Sequence, residues 1–221
     1  MDPSLLAQNP DELFDLVSAD GEPLGRSKTR AAVHRDGDWH RAMHLWIYGR
    51  RETGPFLLFQ RRCRFKDTAP GRLDPTVAGH YKAGETLRET LREVEEEIGI
   101  EADPAATRYV GVRVRSSESE PGVIDRELQE VFLWERAASL EHYAPNPAEL
   151  EGMAEVLVAD ILAVYSGVQD SVSARWLNAS NLEIGTAVLG RDEFLPSVDR
   201  YVYRVAIAIL AVLRGDVHVA V

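Results

Sequence analysis

The chain reads as an α/β protein: one domain over residues 11–215 that ends in a C-terminal helical extension, behind a flexible arm at residues 1–10. Three observations predict this. Apolar runs of strand length recur between turn signals, at residues 42–48 (AMHLWIY), 56–60 (FLLFQ), 109–114 (YVGVRV) and 128–134 (LQEVFLW). Among them lies residues 79–100, in which Leu87, Leu91, Val94 and Ile98 recur at helical spacing and form one apolar stripe. Residues 197–213 are apolar almost all round a helical projection, so that helix is buried in the domain or covered by a partner. No internal repeat or low-complexity linker divides the chain.

Taken in order, residues 12–18 begin the ordered part, and 16–25 read as a strand, an Asp20-Gly21 turn and a return strand. Arg30 to His34 leads through Asp36-Gly37 to His40. The run at 42–48 suits a strand buried on both faces, with 56–60 as its neighbour across the turn at 52–55. A basic cluster of Arg61, Arg62, Arg64 and Lys66 follows. Pro70-Gly71 makes a loop, and 76–78 is a short strand delivering Gly79. Thr86 with Glu89 forms a capping box, and Gly99 is a C-terminal stop. Strands at 109–114 and 128–134 flank a polar, turn-rich stretch at 116–122. Pro145-Asn146-Pro147 ends an irregular stretch before a strand at 154–158 and a helix at 159–165. Residues 166–190 carry mixed signals and no assigned element, and Gly215 terminates the last helix.

The composition narrows the function. A net charge of −11 argues against a nucleic-acid-binding surface. The single cysteine, Cys63, excludes an internal disulfide framework and suits a reducing, cytoplasmic setting. Its arginine neighbours notwithstanding, Cys63 reads as a bystander. The first residues lack the features of a signal or transit peptide. The longest apolar run, 205–213, falls far short of the ~20 residues that cross a bilayer, so no membrane is expected. The oligomeric state stays open, a homo-oligomer included.

The chemistry concentrates in residues 79–100. At helical spacing Glu93, Glu96 and Glu97 fall within an arc of about 100°, on the side away from the apolar stripe. Three carboxylates on one face repel one another unless a cation neutralises them, and a hard, oxygen-seeking ion such as Mg²⁺ or Mn²⁺ suits them. A solvated acidic face is the plainer alternative. The block Arg92-Glu93-Val94-x-Glu96-Glu97-x-Gly99-Ile100, with Gly79 and Glu85 upstream, resembles the Nudix box of hydrolases that cleave diphosphates linked to another moiety. Six residues separate Glu85 from Arg92 where the usual pattern has seven. The missing residue is expected to be absorbed in the loop or first turn, with Glu85 still reaching the network around Arg92.

Landmarks beyond the box resemble the branch of that superfamily that holds isopentenyl-diphosphate isomerases and their hydrolase relatives. They are Asp20-Gly21 with Gly25, His34, His40-Arg41-Ala42, Gln60-Arg61-Arg62, Lys66, Pro70-Gly71 and Ala78-Gly79-His80. The resemblance implies the Nudix fold, a mixed sheet sandwiched between helices. It implies a metal set of Glu93, Glu96 and Glu97, with Arg92 orienting the carboxylates, Glu85 bracing the loop and the carbonyl of Ala78 adding a ligand. It implies that Arg30, Arg62 and Lys66 bind the diphosphate. A second candidate metal set, His34, His40, His80, Asp125 and Glu127, matches the isomerase positions in order. The isomerase, however, needs a cysteine where this chain has Ala78. The residues kept and lost therefore point to metal-dependent hydrolysis of a small organic diphosphate, nucleoside, isoprenoid or related. An isomerase-like enzyme and a non-catalytic diphosphate-sensing module are the alternatives.

Overall fold

The computed structural model describes residues 9–66, 69–120 and 122–221, the side chains of 119 and 120 aside. Most of the expected N-terminal arm lies outside the described residues. The strands are β1 (Leu13–Val17), β2 (Pro23–Thr29), β3 (Trp39–Arg51), β4 (Gly54–Arg62), β5 (Leu73–Asp74), β6 (Val77–His80), β7 (Thr107–Glu120), β8 (Val123–Glu135), β9 (Leu150–Leu157), β10 (Ser171–Asn178) and β11 (Ile184–Gly190). The helices are α1 (Arg30–Asp36), α2 (Leu87–Thr90), α3 (Arg92–Ile98), α4 (Val158–Ser166) and α5 (Tyr201–Leu213).

β3 organises the sheet because it is apolar on both faces and long enough to pair with four strands. Residues Trp39 to Tyr48 pair in parallel with β8, Ala42 to Leu45 pair antiparallel with β6, and Ile47 to Arg51 pair antiparallel with β4. β3 thus forks, leaving one edge through β6 near its start and through β4 near its end. From β4 the sheet continues antiparallel through β9, β10 and β11, while the β1–β2 hairpin joins at Leu16 opposite His40.

Alternation along β3 divides the core. Met43, Leu45 and Ile47 face α2 and α3, packing with Val94 and Ile98. Trp46 and Tyr48 face the opposite side, where Ile161 of α4 and Val202, Val205 and Ile209 of α5 cover them. The result is the expected mixed sheet between helices. The C-terminal helix is covered by the protein's own core. No helix among the described residues is long and apolar enough to cross a membrane, a statement that leaves strands aside.

Several local expectations need correction. Residues 30–36 are a helix, started by Thr29, whose side chain accepts from the Ala32 N–H, and stopped by Gly37 at φ +66°. The polar stretch at 116–122 is mostly strand: β7 and β8 run on as a long hairpin, paired from Thr107 with Trp134 out to Glu120 with Val123, because exposed polar side chains do not disturb a backbone ladder. The unassigned 166–190 holds the β10–β11 hairpin. The last helix begins at Tyr201, not 197. Ser197 Oγ accepts from the Tyr201 N–H at 3.0 Å, and Arg200 at φ +52° is left-handed, so 197–200 form a turn ahead of the helix.

The stripe of Leu87, Leu91, Val94 and Ile98 does not lie on one continuous helix. The chain breaks at Leu91, between α2 and α3, where the Val94 N–H donates to Leu91 O three residues back. The segment between Glu85 and Arg92 thus holds one helical turn and the break at Leu91. Leu91, Val94 and Ile98 stay buried, while Leu87 is partly buried.

Candidate active site

The capping box is formed: Thr86 N–H and Oγ1 both donate to Glu89 Oε2, at 2.7 and 2.8 Å. Beyond it Arg92 ties the site together. Its Nη1 donates to Glu85 Oε1 at 2.5 Å and to Glu89 O at 2.8 Å, and its Nη2 to Glu93 Oε1 at 3.1 Å. Glu85 Oε2 in turn accepts from the Lys82 N–H at 3.0 Å, so the loop before α2 is pinned to the start of α3. Gly79 on β6 lies against Glu93: a Cβ there would stand 3.1 Å from Glu93 Cγ, closer than ordinary contact. The glycine lets the acidic helix approach the sheet.

The three glutamates are not equivalent. Glu96 is exposed, Glu93 half-buried, and Glu97 buried at 5% exposure, which departs from the expected single exposed face. Glu97 points inward because α3 presents it to Lys66 and Arg62 across the cavity rather than to solvent. Its Oε2 has no hydrogen-bond partner among the described residues. Burial pushes the Glu97 carboxyl up to about 8, with Glu93 and Glu149 adding to the rise against Lys66 and Arg62. Burial likewise pushes Glu93 up to about 7, with Glu96 adding to it against Arg92 and Lys82. Crowded, partly desolvated carboxylates with an unsatisfied oxygen are a donor set that fits a hard divalent cation.

The histidine set also converges. Parallel register sets His40 of β3 beside Glu127 of β8, and antiparallel register sets His80 of β6 beside Ala42. His34 comes from α1. The candidate ligand atoms of His34, His40 and His80 lie within 4.8 Å of one another, as do those of His40, Asp125 and Glu127. Asp125 Oδ1 stands 3.9 Å from His34 Nε2 and 3.8 Å from His40 Nε2. Phe14 stacks on the rings of His40 and His80, with centroids at 5.3 and 4.7 Å. His40 is fully buried, and its Nε2 has no hydrogen-bond partner among the described residues.

The hydrogen bonds assign a proton on His80. Arg30 Nη1 lies 3.1 Å from His80 Nδ1 and can only donate, so Nδ1 accepts and Nε2–H donates to Glu127 Oε1 at 2.9 Å. Burial pushes His80 down to about 3, so the ring is neutral. Burial opposes ionisation of Glu127, yet the hydrogen bond from His80 and the nearby Arg115 guanidinium hold it well below the usual carboxylate range.

Both sets border one cavity of about 460 Å³. Glu93, Glu96, Glu97, Arg30, Arg62, Lys66, Ala78, His34, His80, Asp125 and Glu127 line it. Among the predicted residues Glu85, Arg92 and His40 stand outside that lining. The cations are paired within the protein: Arg62 with Asp74 at 2.7 Å and Lys66 with Glu149 at 2.5 Å. Lys82, Arg115, Gln129, Glu149 and His44 also line the cavity and were not foreseen. For Arg115 and Gln129 the alternation of the β7–β8 hairpin was a usable signal; for the others there was none at short range.

Residues 38–177 match the family model described as the NUDIX domain. An uncharacterized Nudix hydrolase of Clostridium acetobutylicum is 30% identical over 190 residues, covering 84% of this chain and 91% of that protein. Nudix hydrolase 3 of Arabidopsis thaliana is 42% identical over 125 residues, 56% of this chain and 16% of that longer protein. Isopentenyl-diphosphate Delta-isomerase of Photobacterium profundum is 27% identical over 178 residues, 80% of this chain and 85% of that one. Among solved structures, DR0079 from Deinococcus radiodurans shares the fold, with a TM-score of 0.50 at 24% identity over 71% of this chain and 90% of that one.

Proposed function

The chain belongs to the Nudix hydrolase family, whose members are in general metal-dependent pyrophosphohydrolases, and on that premise we propose that it hydrolyses a phosphoanhydride bond of a small organic diphosphate in the cytoplasm, using Mg²⁺ or Mn²⁺. The catalytic domain spans residues 11–215 in this reading. The observation that carries it is the pairing of Glu93 and Glu97, both held above the ordinary carboxylate range, with Arg62 and Lys66 on the wall of the same cavity. Anionic donors for a cation and cationic donors for phosphate then meet in one space.

Glu93, Glu96 and Glu97 would hold the cation, and the carbonyl of Ala78 would add a ligand. Bound there, the ion supplies charge neutralisation at the diphosphate oxygens and a water of lowered pKa. Arg92 fixes the Glu93 carboxylate through its bond at 3.1 Å, and Glu85 fixes Arg92. Arg62, Lys66 and Arg30 take the non-attacked phosphate oxygens, exchanging Asp74, Glu149 and His80 for substrate. A glutamate of α3 accepts the proton released by the attacking water.

The convergence of His34, His40, His80, Asp125 and Glu127 favours a second divalent ion and supports the isomerase-like reading as runner-up. Against isomerisation stands Ala78, which can neither give nor take a proton at a hydrocarbon. Turnover decides the function. Nucleoside, isoprenoid, thiamine and sugar diphosphates are incubated with Mg²⁺ or Mn²⁺ and assayed for released phosphate. Metal-dependent release from at least one supports the reading, and none from any of them overturns it.

A further inference from the structure

β3 carries another histidine beyond the cluster. His44 shares a strand face with His40, Ala42 and Trp46, and its cross-strand neighbours are Ala78 on β6 and Val131 on β8. It is buried in the sheet yet borders the cavity. Neither the acidic helix nor the histidine cluster includes it.

Its hydrogen bonds determine which nitrogen holds the proton. Trp46 Nε1–H, which can only donate, lies 2.9 Å from Tyr201 Oη. His44 Nδ1 lies 3.0 Å from the same oxygen. If Nδ1 carried a proton, both neighbours would donate to Tyr201, and the buried phenol hydrogen would have no acceptor among the described residues. The phenol therefore donates to Nδ1, and His44 keeps its hydrogen on Nε2. That nitrogen makes no hydrogen bond among the described residues, and it is not one of the polar atoms shut away in the core. The cavity is what it meets.

Tyr201 is firmly placed to do this. It opens α5, its backbone N–H donates to Ser197 Oγ at 3.0 Å, and the Arg113 guanidinium covers its ring at 4.3 Å. The Asp74 carboxylate, which also borders the cavity, is already held by Arg62 at 2.7 Å. A substrate oxygen entering the cavity is an acceptor for the Nε2–H that borders it.

We propose that His44 is a substrate-binding residue that donates its Nε2–H to a phosphate oxygen of the diphosphate, and that Tyr201 on the C-terminal helix is the positioning residue that sets this tautomer. The inference rests on the diphosphate-hydrolase reading and adds to it two residues outside the motif. Arg62 and Lys66 supply charge; His44, as a neutral donor, supplies direction.

The test uses the full chain with Mg²⁺ and methylenediphosphonate, which cannot be hydrolysed. Long-range ¹H–¹⁵N NMR on histidine-labelled protein reads the tautomer, and calorimetry reads the affinity. His44 is expected as the Nε2–H form, with its resonances shifted by the diphosphonate. His44→Ala weakens diphosphonate binding about tenfold or more, the loss expected for a hydrogen bond to a charged oxygen. His44→Gln, whose amide N–H falls near the Nε2 position, recovers part of that loss. Tyr201→Phe keeps the ring and the melting temperature within a few degrees, mixes the two tautomers and weakens diphosphonate binding without changing Mg²⁺ affinity. An Nδ1–H form in the wild type, or equal diphosphonate affinity in wild type, His44→Ala and Tyr201→Phe, overturns this inference and leaves the hydrolase reading standing. Failure of the wild type to bind diphosphonate overturns this inference, while the turnover of organic diphosphates decides the hydrolase reading.

Discussion

Arg92 and Glu85 are joined by a 2.5 Å hydrogen bond that spans the break at Leu91 and ties the loop ahead of α2 to the first turn of α3. Through the same guanidinium, Glu93 is held in place from behind. Glu85→Gln leaves a neutral acceptor for Arg92 and is expected to lower kcat roughly 10- to 100-fold, as losses behind a metal site do, with the fold intact. Circular dichroism and kinetics at saturating Mg²⁺ check it. Unchanged kcat would remove Glu85 from the site.

The raised Glu93 and Glu97 carboxyls make the metal-free protein sensitive to pH. In the unfolded chain both titrate near ~4.3, whereas in the folded protein burial holds them at about 7 and about 8. The folded state thus binds these protons more tightly. The stability this contributes is full below about pH 4 and is lost as pH rises through about 7 to 8. Melting temperatures of chelator-treated protein should fall over that window, and Mg²⁺ should reverse the fall. A Glu93→Gln/Glu97→Gln double variant should lack this component. An identical pH slope in the double variant would contradict the assignment.

The histidine cluster is expected to bind its own ion. Calorimetric titration with Mn²⁺ should resolve two classes of site, and His40→Gln should abolish one of them while sparing the other. A single class in the wild type, unchanged by His40→Gln, would show that the cluster is held together by its hydrogen bonds alone.

Isopentenyl diphosphate separates hydrolysis from isomerisation. Moving a proton onto one carbon and off another needs an acid and a base at the hydrocarbon, and Ala78 is neither. Any turnover is expected to yield the monophosphate or alcohol. In proton NMR of the mixture, methyl signals of dimethylallyl diphosphate growing faster than phosphate release would favour the isomerase-like reading.

What the sequence revealed followed the range of its signals. The β3–β4 hairpin was legible because apolar runs on either side of Gly54 need no distant partner to be recognised. The β10–β11 hairpin was not, since β11 is an edge strand whose exposed Gly185, Thr186 and Val188 leave no buried stripe to read. α1 was missed because its capping threonine and seven residues give too short a window for periodicity. At the site, the acidic helix was visible because its residues lie close in the chain. The burial of Glu97 was not visible, because it depends on Arg62 and Lys66 across the cavity. The tautomer of His44 lay furthest from view, being set by a hydroxyl 157 residues away.

The central claim is that the glutamates of α3 carry metal-dependent attack of water on a diphosphate. It is tested most directly by turnover of an accepted diphosphate in ¹⁸O-labelled water with Mg²⁺, followed by ³¹P NMR, in the wild type, Glu93→Gln and Glu97→Gln. The account predicts one ¹⁸O incorporated into a product phosphate by the wild type, and kcat lowered by at least ~100-fold in each variant with the fold retained. Near-normal turnover in either variant at saturating Mg²⁺, or product phosphate free of ¹⁸O, would contradict it.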